Sequence, residues 1–136
     1  SQFFVGPAAD IHRMTALRPG EILTEIRIPA TWAGAGFYFE KVADRQVWDF
    51  ALLSIAAAFR MQEGRIADSR MVLGAAACVP YRLRAVESAL AGRVRDADTA
   101  EAVATLETGK AKTLNYNAYK LPLMENLIRR AVRGGA

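Results

Sequence analysis

The stretch FEKVADRQVWDFALLSIAAAF, residues 39–59, divides into halves of opposite character. Glu40, Lys41, Asp44, Arg45 and Asp49 crowd the first half around Trp48, whereas residues 50–59 carry no charge. The apolar half decides the fold. Read with a period of two as far as Met61, it sets Leu53, Ile55, Ala57, Phe59 and Met61 on one side. Leu52, Ser54, Ala56, Ala58 and Arg60 fall on the other. That alternation predicts a β-strand, although so much alanine would also suit a helix. The side built of small residues predicts a helix packed close against it.

Working outward, QEGR at residues 62–65 reads as a hairpin turn, with Gly64 free to take a positive φ. IADSRMVLGAAACV, residues 66–79, returns as a strand that starts at an edge and runs into the core. Pro80 closes the sheet region. On the other side, FYFEKVA predicts a strand, and EILTEIRIP, residues 21–29, predicts one more, since Ile22, Thr24, Ile26 and Ile28 alternate with Glu21, Leu23, Glu25 and Arg27. Pro29, lacking an N–H for the ladder, ends it. Residues 1–20, with the turn signal Pro19-Gly20, read as an irregular lead-in.

After Pro80 the period changes to that of helices. RLRAVESALAG sets Leu83, Val86 and Leu90 on one side and stops at Gly92. DADTAEAVATLETG has Asp96 or Asp98 as its cap, Ala100, Val103 and Leu106 facing inward, and Gly109 as its end. YNAYKLPLMENLIRRAV spaces Leu121, Met124, Leu127 or Ile128, and Ala131 along one face. Pro122 begins or kinks it, and Arg129, Arg130 and Arg133 lie near its end, where the helix dipole favours cations. Strands followed by helices predict an α+β domain: an antiparallel sheet of about four strands with three helices on one face.

The chain has 136 residues, 52% of them apolar, which suits one domain with a true core. No uncharged apolar run approaches the ~20 residues that a membrane-spanning helix needs. The start, SQFF, has neither a basic opening nor an apolar run of signal-peptide type, and its abruptness predicts a piece of a longer chain. A formal charge of +4 with scattered arginines argues against nucleic acid, which calls for a denser stripe and stacking aromatics. Cys78, in GAAACVP, reads as a buried small hydrophobe. With one Cys and one His there is no zinc set, and His12 reads as a surface residue. No nucleotide-binding glycine motif precedes a helix, and GAG at residues 34–36 runs into an aromatic strand instead. What stands out is residues 40–49. A ring set between a cation and an anion can cover a flat ligand and leave hydrogen bonds at its rim. On residue types alone a simpler alternative stands beside it: Trp48 plugs the end of the sheet, and Arg45 pairs with Asp49 or Asp44.

The order of four segments carries a resemblance. LRPGEILTEIRIPA, FYFEKVADRQVWDFALLSIAAAF, GRIADSRMVLGAAACVPYRLRAVESALAG and NAYKLPLMENLIRRAV together resemble the C-terminal domain of the FAD-binding (medium) subunit of the molybdenum hydroxylases: xanthine dehydrogenases, aldehyde oxidoreductases and carbon monoxide dehydrogenases. The likeness runs over roughly residues 16–133, with DRQVWDFALLS and NAYK most similar to bacterial aldehyde oxidoreductases. It implies an N-terminal FAD-binding part outside this chain, whose glycine-rich loops hold the pyrophosphate. It implies partner subunits as well, a large one with the molybdenum cofactor and a small one with iron–sulfur clusters. The domain would close one side of the flavin pocket and help pass electrons from the clusters to an external acceptor. Leu23 and Lys41 fall on positions that border the FAD, and Arg45 and Asp49 match the family's loop beside the flavin ring. Trp48 stands where relatives vary, as a ring that shields or stacks. The isolated chain, lacking the pyrophosphate-binding half, would neither turn over nor hold FAD tightly. A cytoplasmic setting is implied, although related systems also occur in the periplasm. The competing reading is a non-catalytic α+β module that docks subunits through its C-terminal helix.

Overall fold

The computed structural model describes residues 3–134. Its strands are β1 (Gly36–Val42), β2 (Leu53–Gln62), β3 (Arg65–Gly74) and β4 (Tyr81–Arg82), and they form one antiparallel sheet in the order β1-β2-β3-β4. The helices are α1 (Arg84–Leu90), α2 (Ala97–Ala104) and α3 (Lys120–Arg133). α1 packs on β3 and α3 on β2, while α2 lies against both of these helices. The expected α+β architecture is therefore present.

The β2–β3 hairpin turns on Glu63 and Gly64, with φ of 51° and 74°. Two positive φ values in a two-residue loop match the right-handed twist of the strands they join. The pairing shifts between Arg60 and Met61, so Ala67 is an extra residue in β3. That bulge lets Ile66 join Ser69, Met71 and Leu73 on the buried side, which strict alternation would forbid.

The core lies between this side of the sheet and the helices. Leu53, Ile55, Phe59, Met71 and Leu73 meet Leu83, Val86 and Leu90 of the α1 region, Val103 of α2, and Leu127, Ile128 and Val132 of α3. The helices thus cover the large side chains of β2. Its small side, Ala56 and Ala58, lies on the other face, against the expectation that a helix would nestle there. Large residues fill the layer between sheet and helices; small ones cannot.

Several carboxylates tie the layers together. Glu87 accepts from the Met71 N–H at 2.9 Å and pairs with Arg82 at 2.7 Å, joining α1 to β3 and β4. Glu107, only 4% exposed, accepts from the Ala85 N–H and the Tyr81 hydroxyl, each at 3.0 Å. Burial and this carboxylate push the Tyr81 hydroxyl up from its ordinary value. Arg95 donates to the carbonyls of Val132 and Ala131 at 3.0 and 2.9 Å, lies over the Phe59 ring, and so closes the end of α3. Gly134 follows with φ 89°, the left-handed cap that glycine tolerates.

Further expectations need correction. Residues 21–28 form no strand: they run without turn or bend, all exposed, because a strand needs a ladder and nothing among the described residues supplies one. β3 ends at Gly74 rather than at Val79. A Cβ at Gly74 would lie 2.5 Å from Ser54 Oγ, and Ala75 turns away with φ 60°. Cys78, carried out on that turn, is exposed rather than buried. Pro80 does not close the sheet, since β4 follows it. α2 stops at Ala104, so Leu106 leaves its inward face and is 39% exposed, while Glu107 takes the interior place. Elsewhere the helices run as read: Asp96 caps α2 through the Thr99 N–H at 2.8 Å, and Pro122 sits in the first turn of α3, where its missing N–H costs nothing.

Candidate functional site

The far face of the sheet is open. In register, Phe37 stands beside Ala58 and Arg70, Phe39 beside Ala56 and Val72, and Lys41 beside Ser54 and Gly74. Phe37 and Phe39 are 68% and 69% exposed. They wall a shallow apolar trough whose floor is alanine and whose far side is Arg70 and Val72. Arg70 also lies over the Trp32 ring, 5.2 Å from its centre. At the end of the trough the rows finish with Lys41, a hydroxyl and a glycine.

There the chain leaves β1 for the loop 43–52. Leu52 N–H donates to the Val42 carbonyl at 2.8 Å, which closes the loop at its base. Lys41 Nζ donates to the Asp49 carbonyl at 3.0 Å. The Asp49 carboxylate accepts from the Arg45 N–H at 2.9 Å, and the Arg45 guanidinium donates to the Trp48 carbonyl at 3.0 Å. Arg45 and Asp49 also approach as ions, at 3.8 Å. These bonds hold Trp48 at φ 54°, a conformation costly for a bulky residue unless its surroundings fix it. The indole is 92% exposed and Phe50 94%.

The structure therefore brings Lys41, at the end of β1, together with Arg45, Trp48 and Asp49 of the loop. Of the two alternatives for the loop, the ion pair is with Asp49, and Trp48 does not plug the sheet. Leu23, 54% exposed, lies on residues 21–28, outside that loop. Two features were not read from the sequence. One is Phe50, whose place at the head of an apolar run suggested strand. The other is the pairing of Ser54 with Gly74, which needs the register to be seen.

A second polar group lies on the covered side of β1. The Tyr38 hydroxyl donates to Glu40 at 2.6 Å, and Glu40 also pairs with Arg130 of α3. Burial first, then the bond to Glu40, push the Tyr38 hydroxyl up to about 12.

A sequence profile of the CO dehydrogenase flavoprotein C-terminal domain matches residues 38–134. The chain belongs to that family. It is 30% identical to the aldehyde oxidoreductase FAD-binding subunit of Escherichia coli over 128 residues, 94% of this chain and 37% of the relative. It is 33% identical to the nicotine 6-hydroxylase medium subunit of Paenarthrobacter nicotinovorans over 136 residues, 95% of this chain and 44% of that one. Among solved structures, quinoline 2-oxidoreductase from Pseudomonas putida 86 superposes with a TM-score of 0.75 at 29% identity, over 90% of this chain and 43% of that one. The chain thus spans less than half the length of these relatives. Among the described residues no helix is long and apolar enough to cross a membrane.

FAD fits part of this site. Lys41 uses one of its three donors on Asp49 and keeps two, while Val47, Trp48 and Phe50 offer apolar surface for a flat ring. No loop here has the glycine-rich pattern that holds a pyrophosphate. The residues suit the edge of a flavin and not the rest of the cofactor.

Proposed function

We propose that this chain is the C-terminal part of an FAD-binding subunit in a molybdenum-dependent oxidoreductase of aldehyde or xanthine dehydrogenase type. It closes one side of the flavin pocket. The observation that carries the reading is the tied loop: Lys41, fixed at a strand end by the Asp49 carbonyl, beside an outward-facing Trp48. Family membership and the FAD-binding subunit among its relatives support it. The pyrophosphate is held by an N-terminal part of the same subunit. A large molybdenum-binding subunit and a small iron–sulfur subunit complete the assembly, in the cytoplasm.

The chemistry that FAD would supply when bound here is electron transfer between the clusters and the external acceptor. The residues of this chain position and shield. Lys41 sets a positive charge and two free donors at the ring's edge, which favours negative charge there. Leu23 adds apolar contact. Trp48 keeps water from one side of the ring and controls approach of the acceptor, with Arg45 and Asp49 fixing where the indole stands.

Lys41→Ala in the full subunit tests this reading. The expected result is weaker flavin retention or slower reoxidation, followed by visible absorption, with assembly intact. Unchanged retention and reoxidation would overturn it in favour of a docking module. For such a module the open sheet face, with Phe37 and Phe39, is the surface available. α3 buries its apolar stripe in the core, and Arg129 and Arg130 on its remaining side pair with Glu101 and Glu40.

A further inference from the structure

A cleft opens on the helix side of the sheet, where β3 ends. One wall is the turn after Gly74, with Ala76 and Ala77. The other runs from the tight turn Thr108–Lys110 to the start of α3. Lys120 Nζ donates to the Ala75 carbonyl at 2.9 Å and straps the two walls together. The cleft has two lobes, which share Ala76, Ala111, Lys112 and the buried Met124. Three lysines line it against one carboxylate, that of Glu107.

The lobes differ in size and in chemistry. The larger, of about 160 Å³, reaches Tyr81 and Glu107. A cavity of that order accepts one benzene ring. Glu107 already has its partners, the Ala85 N–H, the Tyr81 hydroxyl and, at 3.6 Å, Lys110. It is nearly out of water, so an apolar group beside it costs little further desolvation, whereas a second anion there would be repelled. The smaller lobe, of about 70 Å³, has Lys112, Thr113, Asn117 and Lys120 around Leu53 and Leu121. Lys120 keeps two donors beyond the one given to Ala75. The Asn117 side-chain oxygen accepts from the Leu114 N–H at 2.7 Å, which leaves its amide nitrogen to donate. Lys112 is exposed and has no ion-pair partner among the described residues. Donors in want of an acceptor thus border the small lobe, and apolar walls the large one.

We propose that this cleft binds a small carboxylate carrying one ring-sized apolar group. The ring enters the larger lobe against Met124 and Tyr81, surfaces that aromatic rings favour. The carboxylate lies in the smaller lobe between Lys112 and Lys120, where charge-assisted bonds hold it. Turned the other way it would meet Glu107, so charge fixes the orientation. The site is separate from the flavin loop and does not depend on the flavin reading, since Lys41 belongs to the row on the open face. The two are nevertheless neighbours. Leu53 lines the smaller lobe and pairs in register with Val42, whose carbonyl closes the loop 43–52 at its base.

The test is calorimetric titration of the full-length protein, and of this chain, with benzoate, benzamide and acetate. Benzoate is expected to bind roughly tenfold more tightly than benzamide, which lacks the charge, and than acetate, which lacks the ring. Lys112→Ala, an exposed change, is expected to weaken benzoate roughly tenfold and to leave benzamide unchanged. Ala76→Leu, which fills the space common to both lobes, is expected to abolish binding of either, with the unfolding midpoint checked alongside; the Lys112→Ala result decides should that variant not fold. Equal affinity for benzoate and benzamide, or for benzoate and acetate, would overturn the proposal. So would benzoate affinity that Lys112→Ala leaves unchanged. Binding by this chain but not by the full-length protein would overturn it too, since the cleft would then be filled by another part of the polypeptide. Lys41→Ala is expected to keep the benzoate affinity, so the flavin reading can fail while this site stands, and the reverse.

Discussion

The two faces of one sheet contrast sharply. On the covered face Leu53, Ile55, Phe59, Met71 and Leu73 are sealed under three helices, and nearby carboxylates have their partners. On the other face Phe37 and Phe39 stand beside alanines, and nothing among the described residues covers them. Both faces are apolar. What separates them is size at the central strand: large side chains build a layer, whereas small ones leave a trough. An apolar row therefore predicts a contact, and residue volume indicates whether the chain makes it with itself.

The contrast can be broken most directly by truncating one ring on each face. Phe59→Ala is expected to destabilise this chain by about 3–5 kcal/mol, against less than ~1 kcal/mol for Phe39→Ala, measured by denaturant unfolding. Equal losses would mean that the open face is covered. Next in size is Glu107→Ala, which strands the Ala85 N–H and the Tyr81 hydroxyl inside and is expected to cost about 2–3 kcal/mol. Asp49→Ala removes the carboxylate's bond from the Arg45 N–H and its ion pair with that guanidinium, yet in exposed surroundings it is expected to cost under ~1 kcal/mol while reducing flavin occupancy in the full subunit. A large stability loss there would show the loop to be a structural strut.

A pH series sharpens the comparison further. The Tyr38 hydroxyl is raised from 10 to about 12 in the fold, so its contribution is complete below pH 10. As pH rises from 10 to about 12 the unfolded chain loses this proton first, and stability falls. Tyr38→Phe should show a shallower fall over that window in alkaline unfolding curves. The smallest effect is expected at Ser69, whose buried hydroxyl has no partner among the described residues. Ser69→Ala should leave the unfolding midpoint unchanged or slightly raised.

Much of this was legible in sequence. Alternation from Leu53 to Phe59, the turn at Glu63-Gly64 and the helical spacing after Pro80 identify the sheet, the hairpin and all three helices, because burial imposes those periods; Met61, past the bulge, leaves the buried side and is 45% exposed. The four-strand count was reached with the wrong members. Residues 21–28 have a strand's pattern, which records a preference for a ladder but not where the ladder lies. β4 is too short for any pattern to register, and its place follows from Glu87 and Arg82 reaching across sequence. Glu107 shows the same limit, since a carboxylate among helical residues reads as surface until Ala85 and Tyr81 are seen around it. At the site, the four loop residues were legible as a cluster because they are adjacent in sequence. The left-handed turn at Trp48 was not, as nothing in residue type favours it there.

The sheet's two margins are unlike. Along β3, Ile66 exchanges bonds with Gly92 and Arg93, Met71 with Glu87 and Leu83, and β4 covers the rest. Along β1 no such partners occur among the described residues. The longer unpaired edge is therefore that of β1, with seven residues against the two of β4. Concentrated, the domain would add strands first at β1, so aggregation would begin beside Phe37 and Phe39, with Glu40 and Lys41 as the charges that resist it.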